Sequence, residues 1–196
     1  GALKIDDLKD FSKENKLKSL GLCDTINLCG ALEFSEKLSK IGTQPIIGTQ
    51  INFKYADTIG LLPLFALNEK GYKNIIELSS SSYLKNDSIS EPYLNLDELS
   101  KKNEGVALFS GTINGLSGQL FNKGKFLDIR ELYFKLKTIF SDRFYIEIQR
   151  HYDQNEIEFE KFNLSKSSDL KIPLIATNEV YYLKKDMHEA HDALIC

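Results

Sequence analysis

Six short apolar runs set the strongest limit on what this chain can become. "LKSLGLC" (17–23), "PIIGTQINF" (45–53), "LLPLFAL" (61–67), "GVALFSG" (105–111), "RFYIEIQR" (143–150) and "IPLIAT" (172–177) are each of strand length. The intervals between them are long enough for a helix or a hairpin. Strands that alternate with helical segments argue for a parallel α/β sheet or barrel. A chain of 196 residues with 42% hydrophobic content suffices for one good core, so a single domain over 1–196 is the expectation.

The clearest helical pattern covers 128–140. There Ile129, Leu132, Tyr133, Leu136, Ile139 and Phe140 keep the i, i+3, i+4, i+7 spacing of one apolar stripe. Lys125, Arg130, Lys135 and Lys137 then fall on its wet side. A second helix is expected to start at Asn68, a good N-cap, and to carry Tyr72, Ile75, Ile76 and Leu78. Its expected end is the serine-rich "SSSSYLKNDSISEP", read as part of a mobile insertion over about 79–94 within the one domain. "NLCGALEFSEKLSK" and the C-terminal "KKDMHEAHDALIC" also read as helical. The latter stops on apolar residues and a cysteine without a cap, as expected of a chain cut from something longer.

Charge and composition exclude several classes. A formal net charge of −3 and a pI near 5.7 lack the basic excess of strong nucleic-acid binding. Every apolar run is far shorter than the roughly 20 residues of a membrane span, and "GALKIDDLKDF" is too acidic for a signal peptide, so a cytoplasmic protein is expected. Cys23, Cys29 and Cys196 show no CxxC spacing and read as reduced, mostly buried thiols.

Candidate chemistry is sparse. His188 and His191 share a helix face beside Asp192, but the HExxH spacing is absent, so a metal-ligand reading is the weaker one. His151, Asp24 and Glu179 close three of the strand-like runs, where a βα barrel gathers its functional groups. The chain has no GxSxG elbow and no GxxxxGK[ST] loop. "SGTINGLSG" (110–118) is a candidate phosphate cradle, more often simply a flexible turn. No acid–base pair marks an unrelated small-molecule barrel enzyme.

Several segments together carry a resemblance: "GALKIDDL", "DTINLCGALEFSEKLSKIGTQPIIGTQI", "ALNEKGYKNIIELSSSSYL", "GVALFSGTINGLSGQL", "FYIEIQRH", "IPLIATNEVYYL" and "EAHDALIC". In this order they resemble the PHP (polymerase and histidinol phosphatase) domains at the N-terminus of bacterial DNA polymerase III alpha subunits, of the alphaproteobacterial type. The resemblance implies a distorted (β/α)7 barrel whose strand ends can hold up to three metal ions. The family's opening His-x-His precedes Gly1, so this barrel would be incomplete at its first strand.

Carried over position by position, the resemblance implies a degraded metal site. Cys23, Asp24 and Thr25 stand at the Thr-Asp-His motif, and Gln50 replaces the glutamate of Gly-x-Glu. Leu61 stands for a ligand histidine, Thr112 for a ligand cysteine, and Glu179 with Tyr181 for an Asp-x-His pair. His151 is retained. Glutamine, leucine, threonine and neutral tyrosine contribute little to holding a divalent cation. The implied function is a scaffold within a replicative polymerase, without catalytic residues, metal or cofactor of its own. Its implied partners are the rest of the alpha subunit and replisome proteins, with no membrane. A network among Asn178, Glu179, Tyr181, Gln50 and His151 is expected in place of the metals. The alternative is a residual phosphoesterase or 3′–5′ exonuclease. Unpaired strand edges would allow self-association.

Overall fold

The computed structural model describes residues 3–85 and 91–195. The chain forms two compact units: Gly1–Leu22, Cys29–Ile47 and Asn178–Cys196 make the first, Cys23–Leu28 and Gly48–Thr177 the second. Strands β1 (Ser19–Thr25) and β2 (Gln44–Tyr55) contribute residues to both.

In the first unit, helices α1 (Ile5–Glu14) and α2 (Ala31–Lys40) present strongly amphipathic faces. Phe34 and Leu38, four apart on α2, are fully buried. Ser12 of α1 and Thr43 share a buried hydroxyl hydrogen bond of 2.9 Å, and Thr43 also donates to the Leu17 carbonyl. Lys37 reaches both Asp6 (2.8 Å) and Glu33 (2.6 Å). The Lys37 ammonium holds the Asp6 carboxyl below its ordinary value, and Asp6 in turn raises Lys37. The C-terminal helix α8 (His188–Ile195) also lies here.

The second unit holds the main core. Its strands are β2, β3 (Thr58–Ala66), β4 (Leu94–Asn95), β5 (Val106–Phe109), β6 (Phe144–Ile148) and β7 (Leu174–Ala176). The order along the sheet is β1-β2-β3-β5-β6-β7, with β4 beside β2. All six strand-like runs become strands. The sheet is mixed rather than parallel, however: β2–β3 and β3–β5 are antiparallel, whereas β5–β6 and β6–β7 are parallel. The cause is a two-residue hairpin, Ala56-Asp57, between the paired residues Tyr55 and Thr58. Ala56 takes φ 52 there without the Asn-Gly signal that usually marks such a turn.

Around this sheet lie α3 (Glu69–Leu84), α4 (Leu96–Lys101), α5 (Leu116–Asn122), α6 (Phe126–Phe140) and α7 (Glu156–Leu170). The expected stripe of α6 is present: Ile129, Leu132, Tyr133, Leu136 and Phe140 are fully buried, and Ile139 packs at the edge. Arg130 and Lys135 are exposed, whereas Lys125 and Lys137 are half-buried, with Lys137 donating to the Leu170 carbonyl.

Asn68 caps α3, accepting from the Gly71 N–H at 2.9 Å. The helix does not stop at the serines, and the insertion expected over 79–94 is helical as far as Leu84. Ser82 sits one turn beyond the buried Leu78, is itself fully buried, and donates to the Ser79 carbonyl at 2.7 Å. A small hydroxyl that bonds within its own turn can face a core without a helix break. Residues 86–90 of the expected insertion lie outside the described residues.

Candidate functional site

The second unit holds six of the family-aligned positions. Asp24 is half-buried near the end of β1, and its carbonyl accepts the Thr49 hydroxyl at 2.8 Å. Thr25 beside it is exposed. Gln50 and Leu61 lie on adjacent antiparallel strands, Gln50 opposite Pro63 and Leu61 opposite Asn52. Thr112 lies in the turn after β5, where its hydroxyl accepts the Asn114 N–H at 3.3 Å.

His151 does not close its strand. Strand β6 ends at Ile148, and His151 stands three residues on, exposed in the loop before α7. Its position is fixed through its backbone, because the buried carboxylate of Glu156 accepts from the N–H groups of His151 (2.8 Å) and Tyr152 (2.7 Å). A carboxylate at the first turn of a helix also complements the helix dipole.

Glu179 and Tyr181 belong to the first unit. The Tyr181 hydroxyl donates to the Glu179 carboxylate, and that bond, with partial burial, pushes Tyr181 up to about 12. This is one link of the network expected in place of the metals. Close by, the Tyr182 ring stands 5.8 Å from the His188 ring and 5.6 Å from the His191 ring. His188 Nδ1 lies 3.4 Å from Asp192. Among the described residues, no group of three His, Cys, Asp or Glu side chains is placed to hold a metal ion.

Two features escaped sequence reading. Ile26, directly after Asp24-Thr25, adopts φ 57, a true outlier for a β-branched residue. It is held from both sides: its N–H donates to the Gln50 carbonyl at 2.8 Å and its carbonyl accepts the Tyr83 hydroxyl at 2.9 Å. The second feature is a buried polar network under β6. Glu147 accepts from Thr177, its N–H donates to Ser110 Oγ at 3.0 Å, and Tyr133 donates to Asn163 at 2.8 Å.

The stretch 110–118 is packed rather than flexible, and its last three residues already belong to α5. Ser117 donates to the Ser110 carbonyl at 2.8 Å, and a Cβ on Gly118 would stand 2.0 Å from the Ile113 carbonyl oxygen. The thiols also differ from expectation, since Cys23 is half-buried and Cys29 exposed; Cys196 lies outside the described residues.

An α/β domain with these aligned positions agrees with the comparisons. Residues 1–151 match the PHP domain, and the chain belongs to that family. It is 37% identical over 207 residues to the DNA polymerase III subunit alpha of Caulobacter vibrioides, covering 100% of this chain and 18% of that protein. It is 36% identical over 196 residues to the subunit alpha of Rickettsia felis, with 100% and 16% covered. For Borreliella burgdorferi the identity is 32% over 207 residues, with 100% and 18% covered. The chain thus spans less than a fifth of the length of these relatives. A crystal structure from Bifidobacterium adolescentis, of a protein described as a metal-dependent phosphoesterase, superposes with a TM-score of 0.54 at 12% identity. It covers 90% of this chain and 82% of that one, which establishes the shared fold and nothing about activity.

The donor chemistry does not fit a multinuclear metal centre. Gln50 brings no charge, Leu61 no donor, and Thr112 and Tyr181 only neutral hydroxyls. Divalent ions in catalytic sites need about four to six donors each.

Proposed function

We propose that residues 1–196 act as the single PHP domain of a DNA polymerase III alpha subunit, a cytoplasmic replication protein, and serve there as a non-catalytic scaffold. In this reading the domain supports the polymerase core and offers a surface to other replisome proteins. The observation that carries it is the match to alpha subunits along the full length of this chain, at 32–37% identity in the three relatives above.

The positions Asp24, Thr25, Gln50, Leu61, Thr112, His151, Glu179 and Tyr181 are read as the vestige of a metal site. Only Asp24, His151 and Glu179 keep strong donor groups, too few for a pair of divalent ions. Scaffolding fits the acidic balance of the chain, which disfavours strong direct binding of nucleic acid. Among the described residues β1 and β7 stand at the two ends of the strand order, and the reading includes weak edge-mediated self-association there, which light scattering at rising concentration would reveal.

An exonuclease assay on a mismatched primer terminus with added manganese tests the non-catalytic reading. The expected result is no release above buffer, for this chain and for Glu179→Ala alike. Cleavage that disappears with Glu179→Ala would instead establish a residual phosphoesterase.

A further inference from the structure

A concave surface of the second unit lies between the β2–β3 hairpin, α4 and α6, and none of the family-aligned positions lines it. It is a groove of about 790 Å³. Three aromatic rings line it, from Tyr55, Tyr93 and Phe134, together with Lys54, Lys135 and Asp97. Phe134 projects from α6 with 62% of its surface exposed, on the opposite side from the buried stripe.

The two lysines lie against rings rather than acids. Lys54 Nζ stands 5.7 Å from the centroid of Tyr93, and Lys135 Nζ 5.0 Å from that of Tyr55. Among the described residues neither ammonium forms an ion pair. Lys125, at the same hairpin, is by contrast neutralised by Asp57. Exposed cation–π contacts are weak, so both ammonium groups keep most of their capacity for an anion. Rings beside cations that have no acidic partner offer an incoming segment both apolar burial and a charged hydrogen bond. Aromatic anchors within a polar rim are the usual anatomy of a protein docking site.

We propose that this groove docks a short acidic segment of a protein partner, its carboxylates meeting Lys54 and Lys135 and its apolar side chains lying on Phe134 and Tyr93. The inference rests on the scaffold reading above and adds the chemistry of the partner. Charge separates this occupant from a nucleic acid. Two lysines beside Asp97, on a chain of net charge −3, make a poor track for a phosphate backbone but suit a few well-spaced carboxylates.

Fluorescence anisotropy on the whole chain tests it with three labelled probes: a short peptide alternating aspartate with phenylalanine and leucine, the same peptide with asparagine for aspartate, and single-stranded oligo-dT. The aspartate peptide is expected to bind best, and to weaken as salt rises. Its affinity should fall about tenfold in the Lys54→Ala/Lys135→Ala double variant and in Phe134→Ser, and stay unchanged in the distant Lys73→Ala. If the double variant fails to fold, the salt titration and Phe134→Ser carry the test. Equal affinity for both peptides, no binding of the aspartate peptide, indifference to the groove variants, or preference for oligo-dT would each overturn the assignment. Co-sedimentation with a polymerase core lacking this domain tests the scaffold reading separately. A chain that co-sediments yet ignores the aspartate peptide overturns only the groove. The reverse outcome overturns only the scaffold.

Discussion

The Tyr83 hydroxyl donates a 2.9 Å hydrogen bond to the carbonyl of Ile26, tying the last turn of α3 to a left-handed residue just beyond Asp24-Thr25. A residue held at such an angle costs about 1–3 kcal/mol and persists only where its surroundings over-determine it. Tyr83→Phe removes one of the two hydrogen bonds that do so. Because Tyr83 is 56% exposed, the expected loss is only about 0.5–1 kcal/mol in urea unfolding, with faster amide exchange at Ile26.

Tyr133 makes the stability of the chain sensitive to alkali. Burial foremost, with the nearby Glu147 carboxylate adding to it, pushes Tyr133 from 10.0 up to about 12. The neutral phenol is therefore favoured in the folded state, and its contribution is complete below pH 10. Stability should fall between pH 10 and about 12, by an amount on the order of 3 kcal/mol for two pH units. Tyr133→Phe should flatten this part of the pH profile of urea unfolding. At neutral pH the same variant should lose about 1–3 kcal/mol, because Asn163, fully buried, then loses the partner of its carbonyl oxygen.

Gly118 is committed by space rather than by backbone angle. A Cβ there would meet the Ile113 carbonyl oxygen at 2.0 Å, a backbone atom that cannot rotate away. Gly118→Ala should cost about 3 kcal/mol or more. Gly21→Ala, whose Cβ meets its nearest neighbour only at 4.0 Å, should shift the thermal midpoint little.

Glu156 holds the His151 loop by accepting two backbone N–H groups. Glu156→Gln keeps the shape but replaces one acceptor oxygen with a donor. The expected cost is about 1–2 kcal/mol, with faster hydrogen exchange confined to the amides of His151 and Tyr152.

Much of this architecture is legible in the sequence, because burial leaves periodic traces. The six apolar runs mark six strands, the spacing from Ile129 to Phe140 marks the buried stripe of α6, and Asn68 marks the start of α3. Sequence and structure part where a local signal is contrary or silent. The serines after Leu78 look like a loop, yet Ser82 faces inward and bonds within its own turn. The hairpin at Ala56-Asp57 uses a pair with no turn signature, so the run pattern alone points to parallel strands where antiparallel ones form. The residue types at the family-aligned positions are readable directly, and their chemistry follows. The strain at Ile26 and the carboxylate beneath His151 depend on long-range hydrogen bonds that no spacing announces.

Calorimetric titration of the demetallated chain with manganese, and separately with zinc, distinguishes a vestigial site from a working metal centre. No binding tighter than micromolar is expected, and no change when Glu179 or His151 is replaced by alanine. Binding of two or more ions per chain at submicromolar affinity, lost in His151→Ala, would contradict the vestigial reading.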